Sequence, residues 1–245
     1  MNLTAKRIIL TGGTAGIGRE LVDLLAATNE LVVIGRDPAK LTELAQRYPT
    51  VCPVTCDLSD PTAVSVTADR LAADGDGFDL LLCNAAVQHE PWITAPEFDH
   101  GSIMAEVNTN FTSICQLVAR LGPELRGRRD APGAVVLVNS GLALAPKASS
   151  AVYCATKAAL RSFGRSISYQ LAARPVRVQQ AYLPLVDTAM TAGRGQGKLS
   201  ARDAATAILA GIAADKAENY IGQSAALRWL HRLSPAWAYR IMRTR

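Results

Sequence analysis

Short runs of aliphatic residues alternate along the chain with longer stretches in which apolar residues recur every three or four positions. The short runs predict β-strands, and the periodic stretches predict amphipathic helices. Strands that are aliphatic throughout are buried on both faces, so the alternation predicts an α/β fold, a doubly wound parallel sheet of about seven strands with helices on both faces. Strands are predicted at residues 7–10, 31–34, 51–55, 79–83, 134–139, 176–182 and 219–221, and helices at residues 16–27, 38–48, 61–73, 102–121, 152–173 and 201–214.

Polar residues, glycine or proline follow several of these strands and share one edge of the predicted sheet. In open sheets of this kind, ligands bind beyond the carboxyl ends of the strands. Gly12, Asp57, Asn84, Ser140 and Pro184 are therefore expected to cluster around one cleft.

The composition fits one large domain. The chain has 245 residues, of which 49% are hydrophobic and 19% charged, so we predict a single domain over residues 1–245. The five cysteines are scattered without a Cys-x-x-Cys pair and the first aliphatic run is too short for a signal peptide, so we expect reduced thiols and a cytoplasmic location. The longest apolar runs have only the length of a strand, which argues against a membrane-spanning role, and no metal site is predicted.

A glycine-rich turn, Thr11-Gly12-Gly13-Thr14-Ala15-Gly16-Ile17-Gly18, joins the first strand to the first helix. Glycines here let the backbone approach a pyrophosphate and leave the helix N-terminus facing its negative charge. A glycine cluster alone indicates only a turn, but its position between strand and helix indicates a dinucleotide site. The predicted nucleotide contacts in this turn are Gly12, Thr14, Ala15, Gly16, Ile17 and Gly18.

Tyr153 and Lys157 are four residues apart in a predicted helix, and Ser140 precedes them in a turn after an aliphatic run. The spacing places the phenol and the ammonium on one face of the helix. A tyrosine pKa of about 10 makes an unaided phenol a poor base at neutral pH, and a nearby cation is expected to lower it. On its own the pair is equally compatible with a half-buried aromatic and a solvated lysine.

Between about residues 6 and 220 the chain resembles the short-chain dehydrogenase/reductase family, whose members have a single Rossmann domain. The resemblance rests on motifs that follow one another in the family's order. They are the glycine turn, Asp57-Leu58, Asn84-Ala85-Ala86, Asn108, Ser140, Tyr153 and Lys157.

The resemblance implies hydride transfer between a nicotinamide and a substrate carbon, with Tyr153 as general acid and base. It implies that Ser140 hydrogen-bonds to the substrate oxygen, and that Lys157 binds the nicotinamide ribose and lowers the tyrosine pKa. It also implies that Asn108 holds a water that links the lysine to solvent. Asn108 also has the simpler interpretation of a helix asparagine bonded to nearby backbone. The cofactor contacts that the resemblance adds are Asp57 and Leu58 at the adenine, Asn84 and Ala85 at the adenosine ribose, and Val186 and Thr188 at the carboxamide.

Two departures from the family's pattern lie near the substrate. Leu183 and Pro184 stand where the family has proline and glycine, and Ala86 stands where it more often has glycine. The proline and the ending at residues 227–235 resemble the bacterial DltE-like branch of the family.

The end of the second strand bears on the choice of cofactor. Gly35 leaves room for a 2′-phosphate and Arg36 offers it a planar fork, so we favour NADP(H) over NAD(H). Asp37 provides the alternative, in which its carboxylate holds the ribose and Arg36 is a solvated charge. Ala15 weakens the preference for NADP(H), because many NADP-dependent members have a second basic residue in that part of the turn.

A basic tail covers about residues 225–245, with five arginines, no Asp or Glu, and interleaved apolar residues that predict two short helices broken at Pro235. A packed tail helix with solvated arginines is one interpretation. A flap over the substrate pocket, a segment docking on a second subunit and an element touching an anionic membrane surface are the others. No basic face elsewhere extends the patch, which argues against nucleic-acid binding.

The substrate is expected to be a small carbonyl or alcohol compound. Leucines around the predicted pocket suggest an apolar one, whereas Arg194 and Lys198 in a glycine-rich loop at residues 191–198 suit a carboxylate or phosphate, and the sequence leaves both open. An enzyme of the same fold that catalyses elimination or isomerisation and a nucleotide-sensing protein are the alternative functions. By analogy with the family, we expect a homodimer or homotetramer formed through the helices at residues 102–121 and 152–173.

Overall fold

The computed structural model describes residues 1–127 and 131–244. Seven parallel strands form one sheet in the order β3-β2-β1-β4-β5-β6-β9, and β7 and β8 form a separate two-stranded sheet. The strands are β1 Arg7–Thr11, β2 Glu30–Gly35, β3 Val51–Thr55, β4 Leu80–Cys83, β5 Gly133–Ser140, β6 Val176–Leu183, β7 Val186–Asp187, β8 Leu199–Ser200 and β9 Glu218–Tyr220.

Helices cover both faces of the large sheet, as the sequence predicts. They are α1 Gly16–Leu25, α2 Pro38–Arg47, α3 Pro61–Ala73, α4 Gly101–Val107, α5 Ser113–Leu121, α6 Ala151–Gln170, α7 Ala201–Ala213, α8 Gln223–Leu233 and α9 Pro235–Met242. The predicted seven strands and six main helices are confirmed, apart from shifted ends and a π-helical turn at Asn108–Thr112 that interrupts the helix expected at residues 102–121.

Two hydrophobic cores flank the sheet because successive strand residues point to opposite faces. In β1, Ile8 and Leu10 pack with α1, α2 and α7, whereas Ile9 packs with α3, α5 and α6. All three side chains are fully buried. This two-sided burial explains why the strands are aliphatic throughout.

The starts of two helices are encoded locally by Asp-Pro pairs. Asp37 accepts hydrogen bonds from the backbone N–H groups of Ala39 and Lys40 at the start of α2. Asp60 caps α3 in the same way, and a proline follows each aspartate. Proline suits the first helical position because its fixed φ matches the helix and no N–H is needed there.

The tail forms the two helices predicted by its pattern, α8 and α9, with the break at Ser234 before Pro235. The Arg228 guanidinium lies 4.4 Å from the centre of the Tyr220 ring. Glu218 of β9 pairs with Arg228 at 3.6 Å and with Arg165 of α6 at 2.7 Å, so one carboxylate joins the tail to α6. The tail is therefore packed against the domain.

No helix in residues 1–127 and 131–244 is long and apolar enough to cross a membrane. On the outer side of the tail, Trp229 and Trp237 are each 62% exposed and Leu233 is 81% exposed. Docking on a second subunit or on a membrane surface stays a prediction for this face.

Candidate active site

The glycine-rich turn after β1 fits tightly against the loop that follows β4. Gly12 has φ +72°, and a Cβ added to it would lie 2.9 Å from the Cα of Ala85. A Cβ on Gly18 would lie 1.9 Å from the carbonyl oxygen of Gly12. Glycine is required at both positions, at Gly12 for its positive φ and at both for close backbone approach.

Helix α1 opens toward this turn with an uncapped N-terminus. No side chain caps it, and its first turn contains no acidic residue. The backbone N–H groups that a helix leaves unpaired at its start attract negative charge. Thr14, Ala15, Gly16 and Ile17 border the cleft at this point, which fits a pyrophosphate.

Asn84 ties the two loops together. Its backbone N–H and that of Ala85 both donate to the Thr11 hydroxyl at 3.0 Å. Its side-chain amide donates to the carbonyl oxygens of Thr11 at 3.2 Å and Gly12 at 3.3 Å. The side chain therefore holds the nucleotide turn in place, and the residue borders the cleft.

The predicted adenosine end combines an exposed arginine with two residues that follow β3. Arg36 and Asp57 border the cleft, whereas the carboxylate of Asp37 is engaged in capping α2. Hydrogen bonds from the N–H and hydroxyl of Ser59 lower the pKa of Asp57, and the Arg36 charge adds to this effect. Leu58 is buried and lines the same cleft.

Tyr153, Lys157 and Ser140 meet where β5 ends beside α6. The Lys157 Nζ atom lies 5.6 Å from the centre of the Tyr153 ring and donates to the Val138 carbonyl at 3.0 Å. The Ser140 hydroxyl accepts from the Leu142 N–H at 3.1 Å and is hydrogen-bonded to Tyr153. All three side chains border the cleft.

Burial dominates the ionisation of both reactive groups. It raises the pKa of Tyr153 above its ordinary value, although the hydrogen bond with Ser140 acts in the opposite direction. Burial lowers the pKa of Lys157 to about 8. A lowered tyrosine pKa was predicted from the sequence. That direction is wrong for the protein without a bound nucleotide, because loss of solvent around the phenol is the largest effect.

Two asparagines near the start of α5 have different environments. Asn108 does not border the described cleft, because its side-chain amide donates to the Ser59 carbonyl at 2.9 Å. Asn110 is fully buried, accepts from the Val87 N–H at 2.8 Å, and donates to the Val87 carbonyl at 2.8 Å and the Thr156 hydroxyl at 3.2 Å. The side chain of Asn108 is therefore bonded to backbone outside the cleft, and its role in holding a water that links Lys157 to solvent stays a prediction.

Helical geometry accounts for the difference, since residues two apart are rotated by roughly 200° around a helix. Asn110 precedes the buried Ile114 by four residues and the buried Leu117 by seven. It therefore shares their inward face. This periodicity was the signal in the sequence that distinguished Asn110 from Asn108.

The predicted carboxamide contacts border the cleft beside the glycine turn. Thr188 packs close to Gly16, with its Cγ2 atom 3.1 Å from the place of a Cβ on that glycine. Val186 begins β7, which pairs with β8, and Thr188, Pro184 and Val186 all border the cleft. The short paired strands fix the residues that follow Pro184.

The predicted site residues other than Asn108 border one cleft of about 1360 Å³. One wall of this cleft was, from the sequence, only one of several possibilities for the tail. That wall is the inner side of the tail, so the flap interpretation agrees with the structure. It consists of Ala226, Leu227, Leu230, Ile241 and Met242. Across the described parts of the chain, no group of three His, Cys, Asp or Glu residues could hold a metal ion.

The chain belongs to the short-chain dehydrogenase family, whose sequence pattern matches residues 6–199. It is 36% identical over 194 residues to the uncharacterized oxidoreductase DltE of Bacillus subtilis strain 168, covering 78% of this chain and 75% of that protein. It is 34% identical over 193 residues to L-xylulose reductase of Homo sapiens, covering 77% and 75%.

Solved structures share the fold. A short chain dehydrogenase from Burkholderia cenocepacia J2315 in complex with NADP superposes with a TM-score of 0.87 over all of both chains, at 24% identity. A short chain dehydrogenase/reductase from Burkholderia phymatum in complex with NAD gives a TM-score of 0.83 at 20% identity, over all of this chain and 97% of that one. The chain is thus an oxidoreductase of the short-chain dehydrogenase/reductase family with a Rossmann fold.

Replacement of Asn110 by alanine is expected to lower the free energy of unfolding by about 2–3 kcal/mol, because it leaves the Val87 backbone groups without their partners. Asn108→Ala removes one hydrogen bond at a partly exposed position and is expected to cost less than about 1 kcal/mol. Urea denaturation of the pair measures the difference. Equal losses would contradict the different environments assigned to the two asparagines.

Lys157→Met is expected to stabilise the protein at pH 7 by about 3 kcal/mol, since the native state then no longer buries an ammonium. The native pKa of about 8 lies below the ordinary value of 10.5, so the cost of burial is complete below pH 8 and absent above about pH 10.5. The advantage of Met should therefore shrink across this interval. Denaturation of both proteins at pH 7 and pH 10.5 tests this, and a difference that does not change with pH would contradict it.

Proposed function

We propose that the protein is an NADP(H)-dependent oxidoreductase that interconverts a carbonyl and an alcohol, with Tyr153 as general acid and base. The observation that carries the proposal is the convergence of Ser140, Tyr153 and Lys157 on a cleft whose other end has an uncapped helix N-terminus. These groups provide a proton donor, a hydrogen-bond partner and a cation next to a site for a nucleotide.

When bound, the nicotinamide supplies or accepts the hydride. Ser140 and Tyr153 hold the substrate oxygen, and Tyr153 transfers the proton to it during reduction. The phenol is protonated at neutral pH, because its ordinary pKa is about 10 and burial raises it further, so Tyr153 is in the form that donates a proton during reduction. Lys157, charged at neutral pH, keeps its bond to Val138 and directs further N–H groups to the nicotinamide ribose.

Asn110 supports the catalytic helix α6. It connects the loop after β4 with Thr156, whose hydroxyl also donates to the Tyr153 carbonyl at 2.8 Å. Its side chain is fully committed to these bonds, so it holds α6 in register with that loop.

The proposed preference for NADP(H) has support at the end of β2. Asp37 accepts two backbone N–H groups of α2, which keeps its carboxylate from a ribose. Arg36 is exposed at the border of the cleft beside Asp57 and is available to a 2′-phosphate. Because the structural relatives include one with NADP and one with NAD, the cofactor is a matter for direct measurement.

We also propose a cytoplasmic homodimer or homotetramer. All five cysteines are free thiols, which agrees with a reducing compartment. Met104 on α4 is 60% exposed and Tyr169 on α6 is 69% exposed, which supports these helices as the contact between subunits.

Tyr153→Phe is expected to reduce kcat for ketone reduction by about 100-fold to 10,000-fold, because it removes the proton that the substrate oxygen receives. NADPH binding should persist, as measured by quenching of protein fluorescence. Tyr48→Phe makes the same chemical change at a residue that does not border the cleft and serves as the control. Near-normal turnover by Tyr153→Phe would refute the proton assignment.

Arg36→Ala is expected to raise the KM for NADPH by about 10-fold or more and to leave the KM for NADH within about 3-fold, since only NADPH presents a 2′-phosphate. Lys40→Ala is the control, because Lys40 pairs with Asp37 and is not among the residues that border the cleft. Steady-state kinetics with both cofactors decide the question. Equal losses for the two cofactors would remove Arg36 from the preference.

A further inference from the structure

The substrate half of the cleft contains two cationic side chains besides Lys157. Lys147 and Arg194 both border the cleft, and their side chains are 13% and 25% exposed. The carboxylate of Glu90 lies between them, paired with the Lys147 ammonium and with the Arg194 Nε at 3.1 Å. Two positive charges therefore share one negative charge.

The other charged groups nearby do not change this balance. Glu106 is buried and engaged by His89, whose backbone N–H donates to the carboxylate and whose Nδ1 lies 3.2 Å from it, and burial raises the pKa of Glu106. Lys198, the other cation of the loop at residues 191–198, pairs with Asp187 at 3.3 Å and donates to the Thr191 carbonyl at 2.7 Å. Glu90 is not among the residues that border the cleft, whereas both of its cationic partners are.

The Arg194 guanidinium is oriented by fixed partners. Its Nη1 donates to the side-chain carbonyl of Gln88 at 3.0 Å, and the Gln88 amide donates to the hydroxyl of the buried Ser150 at 3.0 Å. The guanidinium thus has one partner at Nε and one at Nη1, both supplied by the segment around Gln88 and Glu90. A guanidinium oriented in this way at the border of a cleft suits a carboxylate or a phosphate.

The loop that carries Arg194 contains three glycines in the left-handed region of backbone conformation. Gly193, Gly195 and Gly197 have φ values of +75°, +55° and +66°. Arg194 joins this loop to the segment around Gln88 and Glu90 through its contacts with both residues.

Apolar side chains also line the cleft. Two come from the loops after β5 and β6, and the others come from the tail. They are Leu142, Leu185, Leu227, Leu230, Ile241 and Met242. The cleft therefore offers an apolar wall and a cationic end to the same ligand.

We propose that the substrate is a carbonyl compound with an apolar body and an anionic group, carboxylate or phosphate, which Arg194 and Lys147 bind. This deepens the proposed function and rests on it for the carbonyl. The anion balances the second positive charge that Glu90 leaves unmatched. The apolar body lies along the tail helices, and the carbonyl reaches Ser140 and Tyr153.

Binding of simple anions tests the site without turnover. Protein saturated with the oxidised nicotinamide cofactor is titrated by calorimetry with benzoate, phenyl phosphate and benzamide. The wild-type protein is expected to bind at least one of the two anions about 10-fold or more tightly than benzamide, in keeping with a charge-assisted hydrogen bond. Whichever anion binds identifies the carboxylate or the phosphate as the preferred group.

Arg194→Ala is expected to remove this preference, and Arg194→Lys to restore part of it, because lysine keeps the charge but not the fork. Lys198→Ala, a loss of positive charge in the same loop, should keep the preference. Equal binding of benzoate, phenyl phosphate and benzamide by the wild-type protein would overturn the proposal, as would an unchanged preference in Arg194→Ala. Circular dichroism confirms that each variant is folded.

A matched pair of ketones then tests the anion site and the proposed oxidoreductase activity separately. The ratio of kcat/KM for 4-acetylbenzoate to that for 4-acetylbenzamide is expected to fall by about 10-fold or more in Arg194→Ala. Reduction of both ketones with a ratio that Arg194→Ala leaves unchanged would overturn the anion site alone. Binding of benzoate without oxidation of NADPH by either ketone would support the anion site and count against the proposed function.

Discussion

The buried ammonium of Lys157 is the interaction around which the site is built. Its Nζ donates to the Val138 carbonyl at the end of β5, and the side chain is only 2% exposed. Burial of a charge with so few partners costs stability, as the lowered pKa reflects. In return, the bond fixes the start of α6 against the strand that leads to Ser140. Tyr153 is positioned with it.

The surrounding fold makes this arrangement possible. Parallel strands direct their carboxyl ends to one edge, and the strand order leaves a crevice between β1 and β4, where the chain crosses to the other side of the sheet. Gly12, Ala85 and the amide of Asn84 close the base of this crevice through backbone contacts. The ends of the strands thus form the base of the cleft, and the loop around Arg194 and the tail form further walls.

Most of the fold could be predicted from the sequence because buried strands and amphipathic helices leave strong periodic signals. The residues that line the cleft followed from the glycine turn and the strand ends, and all of the predicted site residues except Asn108 border it. The prediction for Asn108 rested on motif order, which does not say which way a helical side chain points. The two-residue strands β7 and β8 were missed because they are too short for a pattern.

Other features depended on tertiary contacts that no local pattern contains. The pKa of Tyr153 follows from how much protein surrounds the phenol, and the sequence suggested only the nearby cation. The contribution of the tail to the cleft depends on where α8 and α9 pack. The shared carboxylate of Glu90 likewise joins Lys147 and Arg194, which are far apart in the chain.

Glu218 holds the tail and α6 through a single carboxylate, with Arg228 on one side and Arg165 on the other. Both arginines are about half exposed, so dissolved ions reach these contacts and weaken them together. The attachment of the tail to α6 through the edge strand β9 is therefore expected to weaken as the ionic strength of the medium rises.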